Sequence, residues 1–117
     1  MPRSIPDAPI LLRAAVKYLE EELIPTLSGY HRFQTRVAAN VLHIVRRELE
    51  LRQPHELAER TRLKAIIGRD GAVETLNSEL CDLIRTAQID LNNPSLRSHL
   101  KQSLADALAI NNPKWTA

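Results

Sequence analysis

Residues 33–49 read FQTRVAANVLHIVRREL. Phe33, Val37, Val41, Ile44 and Val45 recur at steps of three and four, the spacing that lines up one side of an α-helix. Ala38, Leu42 and Leu49 widen that stripe to about half the circumference. A face so broad packs against more than one neighbour, so the helix, predicted over residues 30–51, is expected to be central. Polar groups interrupt the pattern. Glu48 falls about 20° from Val37 on the helical wheel, inside the apolar arc. It also lies near the predicted C-terminus, where the helix dipole disfavours a negative charge. Arg36, Asn40, His43 and Arg47 run along one edge of the same face. An uncompensated buried charge costs several kcal/mol, so such residues imply either a paired internal network or a site.

Amphipathic helices are predicted on both sides of this segment. The first is capped by Asp7, carries Pro9 in its first turn, and aligns Leu12, Ala15, Val16, Leu19 and Leu23 until Pro25 and Gly29 stop it. Within it, Glu20 and Glu21 point outward and Glu22 falls on the buried side. A third helix is expected from Pro54 to Ile67, turning in Leu57, Leu63, Ile66 and Ile67, with Gly68 as its stop. A fourth spans residues 72–88, burying Val73, Leu76, Leu80, Leu83, Ile84 and Ala87, with Asn77 and Cys81 on its flank. Asn92-Asn93-Pro94 supplies a turn and a cap for a fifth, residues 94–110, which buries Leu96, Leu100, Leu104, Ala107 and Leu108. No strand pattern, internal repeat or low-complexity tract appears. The expectation is all-α: a single compact bundle of about five helices over residues 1–117, with a Pro-rich irregular segment at 1–7 and a short tail at 111–117 carrying Trp115.

Composition agrees with helix packing. Apolar residues make up 44% of the 117, but only four are aromatic: Tyr18, Tyr30, Phe33 and Trp115. A chain this long buries roughly two-thirds of its extended surface and folds without disulfides or metal. The single Cys81 fits a reducing cytosol. No signal core opens the chain and no apolar run approaches membrane-spanning length, so a cytoplasmic location is expected. The formal charge of +2 conceals an asymmetry. Residues 30–69 hold nine basic against four acidic groups, a net +5 between flanks of −1 and −2. Local pairs at helical spacing, Glu48 with Arg52, Glu56 with Arg60 and Glu59 with Arg62, account for much of it. The small net charge, the few stacking aromatics and the lack of a recognition motif argue against nucleic acid.

Catalytic and metal patterns are missing. Carboxylate-bridged metal bundles need Glu-x-x-His, and no Glu here is followed three residues later by His. His55 and Glu59 give only two metal ligands. A lone Cys on a helix flank is read as a small apolar residue. Gly29, Gly68 and Gly71 form no phosphate-cradling loop. No catalytic residue, metal or cofactor is therefore assigned. What remains is a polar set: Glu22, Arg36, Asn40 and Glu48 as a network across the first two helices, with Asn77 tying down the Asn-Pro turns. The alternative makes Arg36, Asn40, His43 and Glu48 a site for a small or anionic ligand.

Three stretches also carry a resemblance: FQTRVAANVLHIVRREL (33–49), LNSELCDLIR (76–85) and INNPKW (110–115), with Tyr18-Leu19-Glu20-Glu21-Glu22 fitting as well. Together they resemble a bacterial family of short all-helical proteins of unknown function. Such proteins are often encoded beside aminoglycoside-phosphotransferase-like kinases and acyl-CoA dehydrogenases. The resemblance covers nearly the whole chain, brings no catalytic residue, and implies an accessory role in acyl-CoA or related catabolism. The expectation is a non-enzymatic accessory or interaction module with a protein partner or a second copy of itself. The alternative is a small-ligand or anion-binding protein, or small enzyme, built around Arg36, Asn40 and Glu48.

Overall fold

The structure, a computed structural model, describes residues 7–115. Its regular elements are all helical. Helix α1 spans Ala8–Tyr18, a π-helical turn Leu19–Leu23, a 3-10 turn Ile24–Thr26, α2 Gly29–Ile67, α3 Val73–Arg85, α4 Pro94–Asn111 and a final 3-10 turn Pro113–Trp115. Apart from Asp7, the Pro-rich segment expected over 1–7 lies outside the described residues, as do the last two residues of the tail.

Four α-helices replace the five expected, because the second and third are one. Helix α2 runs through Pro54. A proline inside a helix removes the N–H that would reach the carbonyl four residues back, here that of Glu50, and its ring crowds that carbonyl, at a cost of about 3 kcal/mol. That penalty made Pro54 read as a helix start. Gly68, at φ +88°, ends the helix in the left-handed conformation, its N–H bonded to the Lys64 carbonyl.

The packing divides into two compact units, Met1–Leu51 and Arg52–Ala117, with the boundary inside α2. In the second unit, Leu63 of α2, Leu76 and Leu80 of α3 and Leu96 of α4 form the core, with Ile66, Ile67, Val73, Ile84 and Ile89 packed against it. Leu57, Leu100 and Leu104, expected inside, are exposed. Asn93 caps α4 as the sequence suggests, its side-chain oxygen accepting from the N–H groups of Ser95 (2.9 Å) and Leu96 (3.2 Å). Asp7 occupies the N-cap of α1 without making the corresponding bond.

In the first unit Val16, Ile24 and Ala39 are buried. The stripe predicted to face inward is only partly buried: Leu42 and Ile44 are half-buried. Tyr30, Phe33, Val37, Val41, Val45 and Leu49 are all exposed, while Ala39, on the opposite side of the wheel from Val37, is 2% exposed. The larger part of the apolar stripe faces outward.

Helix α3 stops earlier than expected, at Arg85, and Ala87 is exposed rather than buried. The N–H of Gln88 bonds the Leu83 carbonyl (2.9 Å) and that of Ala87 the Ile84 carbonyl (3.2 Å), the two bonds of a Schellman cap. Ala87 takes the left-handed position at φ +57°, where a Cβ is disfavoured by about 1–2 kcal/mol. Replacing Ala87 by Gly is therefore expected to raise the unfolding free energy by about 0.5–1 kcal/mol, read from urea denaturation; a loss of stability would contradict this reading of the cap.

Candidate functional site

The site of the first unit begins at Pro25. This residue cannot donate to the Glu21 carbonyl and its ring crowds it. The preceding turn, Leu19–Leu23, opens to π geometry and closes with the Ile24 N–H on the Leu19 carbonyl. A wider turn rotates each residue through a smaller angle, so positions assigned on an ideal wheel no longer hold. Glu22, expected on the buried side, is exposed. Glu20, expected outward, places its carboxylate 3.2 Å from Nε2 of His43 on α2.

From His43 a polar ladder continues along the side of α2 opposite the stripe. Arg46 Nη2 lies 3.3 Å from His43 Nδ1, Arg46 Nη1 donates to Glu50 at 3.1 Å, and Arg13 of α1 donates to the other Glu50 oxygen at 3.0 Å. A guanidinium only donates, so Nδ1 of His43 must accept; the ring proton then sits on Nε2 and is donated to Glu20. Both ring nitrogens thus have side-chain neighbours. Exposed ion pairs are worth no more than about 1 kcal/mol each. The Arg46 side chain, however, is only 12% exposed, and its Nε is buried without a partner. Its charge is stabilised by the Glu50 carboxylate, which makes the middle of the ladder its costliest part to break.

Beside the ladder is an open cleft of about 380 Å3 lined by Glu20, Ile24, Arg36, Asn40 and His43. Three of the four residues assigned to a ligand site, Arg36, Asn40 and His43, thus share one hollow. The fourth, Glu48, is exposed, does not line it, and has interactions of its own. Arg36 and Asn40 make no side-chain hydrogen bond or ion pair among the described residues. Asn77 belongs to the second unit, where its amide donates to Glu59 at 3.2 Å rather than to the Asn-Pro turns. Of the network expected from Glu22, Arg36, Asn40, Glu48 and Asn77, Glu22 is exposed and Asn77 pairs with Glu59, while a separate ladder runs through Glu20, His43, Arg46, Glu50 and Arg13. Residues 43, 46 and 50 repeat at three and four, so the ladder was visible as a polar stripe; its connection to Glu20 required the π turn.

The second unit holds another polar group. His99 is 97% buried, and Nδ1 accepts from Nε of Arg62 at 3.0 Å. Arg62 also reaches Ser103 (3.4 Å) and lies 3.9 Å from Asp106, whose other oxygen is 3.7 Å from His55 Nε2. Arg62 therefore pairs across to α4, not locally with Glu59, and Arg60 likewise donates to Asp70 at 3.0 Å, not to Glu56. That bond, with the Gly71 N–H, holds the Asp70 carboxyl below its usual range. A hollow of about 320 Å3 beside His99 is lined also by Arg62, Ser95 and Ser98. Among the described residues no three metal-ligating side chains come together, and no helix is long and apolar enough to cross a membrane.

Burial, and next the nearby Arg62 charge, lower the His99 pKa from its usual 6.5. Between that depressed value and 6.5 the unfolded chain binds more protons than the folded one, so stability rises with pH across that window. The contribution of neutral His99 is thus complete above about pH 6.5 and is lost as pH falls toward the folded value. Urea midpoints measured from pH 7.5 to 5 should fall on acidification, and that part of the slope should vanish in His99→Gln; an unchanged slope in the variant would assign it to other groups.

Residues 25–115 match the profile of a family described as Domain of unknown function (DUF6285), and the chain belongs to that family. No curated protein and no solved structure matches it.

Proposed function

We propose that this member of the family is a non-enzymatic interaction module whose working surface is the outward apolar stripe of α2. One observation carries the reading: α2 turns its polar ladder toward α1 and leaves Tyr30 69%, Phe33 63% and Val41 50% exposed. Scattered apolar side chains are normal on a surface, but a contiguous stripe is an interaction surface waiting for cover. The resemblance to proteins encoded beside aminoglycoside-phosphotransferase-like kinases and acyl-CoA dehydrogenases supplies a setting, an accessory part in bacterial catabolism of acyl-CoA or related compounds. The test is retention on the tagged full chain from native-cell extract. A protein, including an untagged copy of the chain itself, should be held by the wild type and lost with Phe33→Ser, while the variant keeps its helical circular dichroism. Identical retention by both would defeat the proposal.

A second reading rests on the cleft. Arg36 and Asn40 face it without engaging another side chain, as groups reserved for a small anion would. Thermal-shift screening against acyl-CoAs, nucleotides and sugar phosphates should then find a ligand that raises the wild-type midpoint but not that of Arg36→Ala. A shift preserved in the variant would place binding elsewhere.

A further inference from the structure

We infer that the hollow of about 320 Å3 beside His99 in the second unit is a binding site for a phosphoryl group, held by Arg62 of α2 with Ser95, Ser98 and His99 of α4. The inference is independent of the α2 stripe and of the cleft at Arg36. It starts from the His99 ring. The residue is 97% buried and forms one wall of the hollow. Nδ1 accepts from Arg62 Nε at 3.0 Å, and a guanidinium has no lone pair to offer in return, so in the neutral ring the proton sits on Nε2. Burial, and next the Arg62 charge, favour that neutral ring. The Nε2–H has no acceptor among the described residues. A donor on so enclosed a side chain is costly to leave unmatched, which points to an acceptor supplied from outside the chain.

The other polar groups of the hollow agree in sign. Ser95 and Ser98 stand on the same side of α4 as His99, at steps of three and four, and neither hydroxyl makes a hydrogen bond among the described residues. Arg62 gives Nε to His99 and turns Nη2 to Ser103 at 3.4 Å and toward Asp106 at 3.9 Å, leaving Nη1 without a partner among the described residues. The nearby carboxylates, Asp106 and Glu59, do not line the hollow. The first turn of α4 adds the positive end of a helix dipole but no free N–H: Pro94 has none, and Asn93 occupies those of Ser95 and Leu96 with its side chain and that of Arg97 with its carbonyl. The site is therefore built from side chains. Four donors with no acidic group among them suit a ligand that only accepts. A phosphoryl group brings three acceptor oxygens and a charge of about −1.5 to −2, more than a carboxylate can offer. Ala65, Ile66 and Pro94 complete the wall and leave an apolar side for a short carbon chain.

The experiment follows the ring signals of the four histidines by NMR in the full chain, at about pH 7.5, where His99 is neutral. Inorganic phosphate and glycerol phosphate are titrated at constant ionic strength, with sodium chloride as the control. The His99 signals should move saturably with either phosphate, while His31 and His43 stay in place. Ser95→Ala and Ser98→Ala, both at exposed positions, should each weaken binding about tenfold with the urea midpoint unchanged. Tighter binding of glycerol phosphate assigns the site to phosphate esters and the reverse assigns it to free phosphate; either upholds a phosphoryl site. A His99 signal that stays still, that moves equally with chloride, or that moves equally in the doubly substituted Ser95→Ala, Ser98→Ala chain overturns the inference. So does saturable movement of His43 in place of His99, which would put the anion in the cleft of the first unit.

Discussion

Everything distinctive in the first unit depends on which side of α2 faces α1, and that side carries a run of polar bonds from Glu20 through His43, Arg46 and Glu50 to Arg13. Hydrophobic burial alone would turn Val37 and Val41 inward, since each buried aliphatic side chain is worth roughly 1.5–3 kcal/mol. The facing side instead carries Ala39, 2% exposed, and the ladder, in which Arg46, 12% exposed, is costly to leave without Glu50. The π turn completes the arrangement by bringing Glu20, rather than Glu22, to the His43 ring.

The orientation links fold to proposed function. A helix whose polar residues pair with the first helix leaves much of its apolar side on the surface, and the proposed interaction role rests on that side. The same seam forms one wall of the cleft in which Arg36 and Asn40 stand. In the second unit the division of labour is ordinary: leucines of α2, α3 and α4 make the core, and Arg62 reaches the buried His99 at its edge.

Much of this was legible in the residues. The periodicity around Leu76, the Asn93 cap and the Gly68 stop follow from local rules that tertiary packing did not override, whereas in the α4 stripe Leu96 is buried but Leu100 and Leu104 are exposed. So did the existence of a wide apolar stripe on α2, and the grouping of Arg36, Asn40 and His43 along one edge. What was not legible has specific causes. Pro54 reads as a boundary because its cost inside a helix is large, yet α2 accommodates it. Glu20 and Glu22 exchange roles because a wheel drawn at 100° per residue has no place for a π turn. Phe33 and Val41 were read as interior on the premise that an apolar face seeks the chain's own core; both are exposed. His99 escaped notice because a single histidine among Leu96, Leu100 and Ser103 announces its burial only once Arg62 is beside it.

Two adjacent alanines test the direction in which α2 faces with the same substitution. Ala39 is buried and Ala38 exposed, whereas the apolar pattern alone places Ala38 on the inner arc. Chemical denaturation of the full chain should show Ala39→Glu losing about 3 kcal/mol or more and Ala38→Glu changing by about 0.5 kcal/mol or less. The reverse order, with Ala38→Glu the damaging change, would mean that the stripe lies inside the fold and would contradict the account.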